Sequence, residues 1–216
     1  MKKVRAASKT QGWDAYARHH KNSPANPWIL RVLEEISPGL EIPRVAVDLG
    51  CGTGGGALAL QAHGFEVHGV DINRPALAFA RKRVSEQNRR AKKAGLHLPA
   101  VKLHRRTLAR FEIPRCGLLV AIRSLGFLKR PELLRLLNQL PRKVAPQGLV
   151  VLHFFGPRDD WALAGSVSAF SKKEILKILR GFKVLKLEES QFRGGTAAGA
   201  TKNWHEVVVI ARRLRA

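Results

Sequence analysis

Two carboxylates frame a glycine turn in this chain. Asp48 lies in Val45-Ala46-Val47-Asp48-Leu49, and Asp71 closes Phe65-Glu66-Val67-His68-Gly69-Val70-Asp71. Between them runs Gly50-Cys51-Gly52-Thr53-Gly54-Gly55-Gly56, with Ala57-Leu58-Ala59-Leu60 behind it. A short apolar run bounded by glycine suits a strand buried on both faces of a parallel sheet. The glycines let the backbone turn with positive φ and approach a ligand closely. A helix opening behind them offers unpaired N–H groups and a positive dipole end. Asp71 follows the turn by about 20 residues, where an acid can accept both hydroxyls of a ribose. Asp48 sits inside the turn, where it repels a pyrophosphate and attracts a cation.

Gly50, Gly52 and Gly55 formally match the dinucleotide pattern G-x-G-x-x-G, a weak signal in so glycine-rich a loop. A dinucleotide oxidoreductase is therefore one reading, which the charge of Asp48 disfavours. The other is S-adenosyl-L-methionine, which carries a sulfonium and an ammonium and no phosphate. The string Val-Asp-Leu-Gly-Cys-Gly-Thr-Gly resembles motif I of the class I S-adenosylmethionine-dependent methyltransferases at almost every position. That resemblance implies cofactor contacts from Asp48, Gly50, Cys51, Gly52, Gly54 and Asp71, with Ile72 on the adenine face. Trp13-Asp14-Ala15-Tyr16 is similar to a segment that folds over the cofactor in small-molecule members, which implies Tyr16 at the methionine end. The same two aromatics equally suit core anchors of a covering helix.

The chain also departs from the family pattern. Thr107, with Leu108 after it, stands where an acid often follows the third strand, and Gly117 stands where the fourth strand often begins with Asp. Adenine recognition is then expected from backbone groups near Thr107 and Leu108. No Asn-Pro-Pro-Tyr or Asp-Pro-Pro-Tyr follows the fourth strand; Arg123-Ser124-Leu125-Gly126 stands there. That counts against methylation of exocyclic base amines. The tail resembles the tellurite-resistance-type small methyltransferases in Gly156-Pro157-Arg158-Asp159-Asp160-Trp161, in Ser171 and Glu174, in Gly181-Phe182 and in Trp204-His205. Arg123 is expected at the cofactor, and it joins Arg158, Asp159, Trp161 and Trp204 as candidates for the acceptor mouth. His153 and His205 are candidate bases, because neutral imidazole is the usual base near pH 7; each equally suits a satisfied histidine at a strand end. No metal ligand set is expected.

Elements must hold these residues. A helix is expected from Asn26-Pro27-Trp28 to about Ile36, stopped by Ser37-Pro38-Gly39. The crossover helix after the glycine turn ends near His63-Gly64, and Asn73 caps a helix from Arg74 to Ala94. Further strands are expected at Val101–Leu103, Cys116–Ile122, Leu149–Phe155, Phe182–Glu189 and Trp204–Arg212. Pro131 to Leu140 reads as a helix, Pro146-Gln147-Gly148 as a turn, Arg193 to Gly199 as a loop, and Ser171-Lys172-Lys173-Glu174 as a capping box. The expected fold class is α/β: one doubly wound Rossmann-like domain over 11–212, with a mostly parallel seven-stranded sheet and a C-terminal antiparallel strand. Covering helices occupy about 11–37, and 1–10 form a basic tail.

At 216 residues the chain suits one domain with a real core. No apolar run approaches the ~20 residues of a membrane span, and no apolar stretch follows the basic start as in a secretory signal. Cys51 and Cys116 lack metal spacing, so a reduced, cytoplasmic setting is expected. Helix N-termini lower thiol pKa, which makes Cys51 a candidate reactive thiol; a small filler of the loop is the plainer reading. The formal net charge is +23, which permits an anionic partner such as nucleic acid without requiring one. The expected activity is methyl transfer to a small-molecule acceptor. Methylation of RNA or a ribonucleoprotein, and cofactor binding without catalysis, are the alternatives. The oligomeric state is not legible.

Overall fold

The computed structural model describes residues 11–36, 39–196 and 199–215. The basic segment 1–10 and the Ser37-Pro38 break lie outside the described residues. The elements run α1 (Gln11–His19), α2 (Pro27–Arg31, continued by a π turn Val32–Ile36), β1 (Val45–Leu49), α3 (Gly55–Ala62), β2 (Glu66–Asp71), α4 (Arg74–Lys93), β3 (Val101–Arg105) and β4 (Cys116–Ala121). Then come α5 (Arg130–Leu137), α6 (Leu140–Lys143), β5 (Val144–Phe155), α7 (Asp160–Leu163), α8 (Lys172–Ile178), β6 (Phe182–Gly195) and β7 (Thr201–Arg213).

The seven strands form one sheet in the order β3-β2-β1-β4-β5-β7-β6. β1 to β5 are parallel, and β7 runs antiparallel to both β5 and β6. Continuous apolar strands demand cover on both faces, and both faces have it. Ile29, Val32, Leu33, Leu60 and Phe65 pack on Ala46, Val120 and Val151. Leu133, Leu136, Leu137, Ile175 and Leu179 pack on Val47, Leu119, Val150, Leu152 and Phe154. The caps read from sequence are in place: the Asn73 side chain accepts from the Ala76 N–H at 2.7 Å, and Ser171 and Glu174 cap each other reciprocally.

Two expectations are corrected. The turn at Pro146-Gln147-Gly148 is a bulge inside a single long β5: pairing with β4 jumps from Cys116↔Val144 to Leu118↔Leu149, and Gln147 takes a φ of 63°. The loop expected over Arg193–Gly199 starts later: Arg193, Gly194 and Gly195 belong to β6, which pairs with β7 out to Gly195↔Thr201. The missing acid at the start of β4 also has a physical reason. A Cβ on Gly117 would lie 2.1 Å from the Pro43 carbonyl oxygen, so no side chain fits there. Among the described residues no helix is long and apolar enough to cross a membrane.

Candidate active site

The glycine turn hangs from the C-terminal end of β1, the sheet edge where ligands of open α/β folds bind. Gly50, Gly52 and Gly54 take φ of 83°, 51° and 87°, the left-handed region that side chains resist. Gly50 is also pressed against the segment after β4, since a Cβ there would meet Ser124 Cβ at 2.3 Å. The Ser124 hydroxyl donates to the Leu49 carbonyl at 2.6 Å, locking the β1 and β4 exits together.

Asp71 ends β2 and organises the turn. Its Oδ2 accepts from the Gly52 N–H at 2.9 Å and its Oδ1 from the Asn73 N–H at 2.8 Å. Burial raises its pKa against those hydrogen bonds. Beside it Ile72 is 59% exposed, a bare apolar side chain next to a carboxylate. Arg106 N–H bonds to the Asp71 carbonyl at 3.2 Å, which brings Thr107 and Leu108 to the same corner.

Asp48 is buried, and its carboxylate lies under the first turn of α3, where a Cβ on Gly56 would sit 2.7 Å from Oδ2. Burial, then the charge of Asp71, pushes its pKa up to about 7. Among the described residues its side chain has no hydrogen-bond or ion-pair partner. The helix N-terminus that would hold a pyrophosphate is thus already occupied by a carboxyl. Cys51 is buried against Gly69, and burial raises its thiol pKa well above the ordinary value, with Asp48 and Asp71 adding to the effect. It is a filler of the loop, and the reactive-thiol expectation is withdrawn.

Helix α1 roofs this corner. The Asp14 carboxylate accepts from the Asn73 side-chain amide at 2.7 Å, and the Thr53 hydroxyl donates to the His20 carbonyl at 2.8 Å. Arg83 reaches across to the Ser23 and Thr53 carbonyls. Tyr16 lies between opposite charges: burial raises its pKa, Arg123 opposes the rise and Asp71 adds to it. Trp13 stands 4.9 Å from Phe127, edge to face.

The other side of the mouth is built from β7 and the loop after β5. Here the structure assigns several expected residues different tasks. Arg123, at a φ of 52°, turns its guanidinium onto Glu206 with bonds of 2.9 and 3.1 Å and lies over Trp204. Two of its N–H groups are therefore committed to β7. Burial raises the Glu206 pKa, but His153 and Arg123 outweigh it and hold the carboxylate at about 2. His153 is 2% exposed; its Nε2 lies 3.0 Å from Glu206 Oε1 without hydrogen-bond alignment, and its Nδ1 is unpartnered among the described residues. His205 Nδ1 accepts from the Arg158 N–H at 3.0 Å, so Nε2 carries the proton and donates to Glu189 at 2.6 Å. Neither nitrogen is left to act as a base.

Asp159 is fully buried. It accepts from the Trp161 N–H and the His205 N–H and pairs with the Lys202 ammonium. It caps α7 and ties the loop to β7, so it does not face an acceptor. The Arg158 side chain points outward to Gln191 and Glu189. Trp161 remains half-buried at the mouth, with the buried rings of Trp204 and Phe155 behind it, and the three rings surround Lys202 Nζ at 4.5, 3.9 and 5.5 Å. Lys202 and Glu206 escaped the sequence reading. The alternation Lys202, Trp204, Glu206 along one strand face was the available signal.

A family model described as a methyltransferase domain matches residues 46–148. No curated protein matches the chain's sequence significantly. Among solved structures, TehB from Haemophilus influenzae is similar with a TM-score of 0.68 and 16% identity, over 94% of this chain and 67% of that one. Magnesium protoporphyrin IX methyltransferase (ChlM) from Synechocystis PCC 6803 with bound SAH gives 0.66 and 16%, over 94% of both chains. N-methyltransferase NodS from Bradyrhizobium japonicum WM9 with S-adenosyl-l-homocysteine gives 0.65 and 15%, over 94% of this chain and 99% of that one. At such identities the likeness shows the fold. Taken with the family model, it gives residues 46–148 as a methyltransferase domain within a chain that has the fold of those methyltransferases.

Proposed function

We propose that this enzyme methylates a small-molecule acceptor held between α1 and the aromatic wall of β5, α7 and β7. The observation that carries the reading is that wall. Exposed Trp13 and Phe127 and half-buried Trp161 stand at the mouth under a stapled helix, and buried Phe155 and Trp204 back them in a continuous series of ring contacts. Apolar surroundings with few convergent polar groups suit a small ligand rather than a polymer backbone. The names of the similar proteins, a magnesium protoporphyrin IX methyltransferase and an N-methyltransferase, lend support.

The residues present fit the cofactor. Asp71 takes the ribose hydroxyls, with Ile72 on one adenine face and the backbone of Thr107 and Leu108 at its edge. Gly50, Gly52 and Gly54 allow the backbone to approach, and Asp48 and Tyr16 serve the methionine end. Bound there, the cofactor supplies an electrophilic methyl group on a sulfonium. The chain's own part is to hold the acceptor in line and exclude water.

Incubating cell extract with methyl-labelled cofactor tests the reading. Label in the small-molecule fraction supports it; label confined to RNA would overturn it. A second reading, contact with RNA, has one observation in its favour. Residues 74–110 hold twelve basic residues and a single acid, Glu86.

A further inference from the structure

Methyl transfer to an O–H, N–H or S–H acceptor leaves a proton that needs a destination. His205 has no free nitrogen, His153 is sealed in the core, and Glu206 and Asp159 are held in ion pairs. Among the described residues two imidazoles remain at the end of α1, His19 and His20, and it is His20 that is fastened to the glycine turn.

His20 closes the turn after α1. Its carbonyl accepts from both the Thr53 hydroxyl at 2.8 Å and the Ser23 N–H at 3.0 Å, which fastens the residue to the glycine turn. Its ring leans on Tyr16 at 4.2 Å between centroids. Nδ1 lies 3.0 Å from the Ser23 hydroxyl, while Nε2 has no partner among the described residues. Tyr16 feels the charges of both Asp71 and Arg123, and His20 feels that of Arg123. These groups come from the exits of β2 and β4, so His20 stands over the corner where β1, β2 and β4 deliver the cofactor.

We propose that His20 is the general base of the reaction. Its Nδ1–H donates to Ser23 Oγ, which leaves the Nε2 lone pair facing the acceptor. As the acceptor atom attacks, its bond to hydrogen breaks and the proton passes to Nε2. The electron pair forms the bond to the methyl carbon, and the carbon–sulfur pair stays on sulfur. The proton then leaves to solvent from a half-exposed ring. The charged and titratable groups facing His20 are Tyr16 and His19 on α1 and Arg123 after β4; Arg83 from α4 ties down the Ser23 carbonyl. Burial, then the charges of His19 and Arg123, lowers the imidazole pKa, which keeps the ring neutral and able to accept near pH 7.

This rests on the small-acceptor reading, and the test separates the two. Histidine-labelled full-length protein is titrated by NMR alone, with S-adenosylmethionine and with S-adenosylhomocysteine, and His20→Asn assigns the resonance. The expected tautomer is Nδ1–H. A sulfonium within reach of the base should lower its pKa relative to the thioether complex by about half a unit or more. An Nε2–H tautomer, or equal pKa values in the two complexes, would overturn the proposal while leaving the small-acceptor reading intact. Calorimetry should show His20→Asn binding S-adenosylhomocysteine within about twofold of wild type, because the Thr53 bond uses the backbone. Label incorporation into small molecules should fall about 100-fold in that variant. Undiminished incorporation would overturn the base. No incorporation by wild type would sink the small-acceptor reading and the base with it.

Discussion

Asp48 and Asp71 are both carboxyls at strand ends, yet their surroundings divide their tasks. Asp71 is held by two backbone N–H groups and stands ready as a hydrogen-bond acceptor. Its replacement by Ala should weaken cofactor binding by roughly 1.5–3 kcal/mol, read by calorimetry; unchanged affinity would place the ribose elsewhere. Asp48 is buried without a partner among the described residues, and its pKa is raised to about 7 from 3.8. The fold therefore binds this proton more tightly than the unfolded chain does. Its effect favours folding below about pH 4, erodes as pH rises to 7 and then levels off. Asp48→Asn should accordingly stabilise the cofactor-free protein at pH 8, on the order of 2–4 kcal/mol, with the gain vanishing near pH 4. The same change should weaken S-adenosylmethionine more than its neutral-sulfur product. A variant no more stable at pH 8 would show that this carboxyl is better solvated than its burial implies.

At the scale of elements, what was legible in the sequence was local. Glycines with positive φ, the Asn73 cap and the Ser171–Glu174 box announce themselves within a few residues. The parallel half of the sheet and the glycine turn at its carboxyl edge were therefore readable from residue order alone. What was illegible depends on partners far away in the chain. The β5 bulge follows from the register against β4, and the tasks of Asp159 and His205 are set where β7 meets the loop after β5, 46 residues apart along the chain. Chemistry alone made His205 look like a base; its neighbours take both nitrogens. Helix α1 belongs to this scale too. Thr53→Val removes the hydroxyl that holds its end at His20. Amide exchange in α1 should speed up several-fold and cofactor affinity should fall by about 1 kcal/mol. Unaltered exchange would mean that Asp14–Asn73 and the aromatic contacts suffice.

Over the whole molecule the charge is uneven. Arg89, Arg90, Lys92 and Lys93 are exposed at the end of α4, whose start lies beside Asp71. At 1.5 Å per residue they stand about 20–30 Å from the mouth. Charge so distant can steer a polyanion but cannot orient a small acceptor. Neutralising all four should leave small-molecule turnover nearly unchanged while reducing RNA affinity and flattening its salt dependence. Lost turnover in a folded variant would bring this segment into the active site.

The two banks of the mouth are unequally fastened. One is riveted through Asp159, Lys202, His205 and Glu189; the other is a nine-residue helix held by a few polar staples and ring contacts. Traffic of cofactor and product must use the loosely held bank. With a fast acceptor, the enzyme's clock is then set by helix undocking, a motion that drags through solvent, whereas methyl transfer does not. Added viscogen should slow steady-state turnover in proportion and leave a single turnover of preloaded enzyme untouched. Equal slowing of both would mean that the roof stays shut only while chemistry happens.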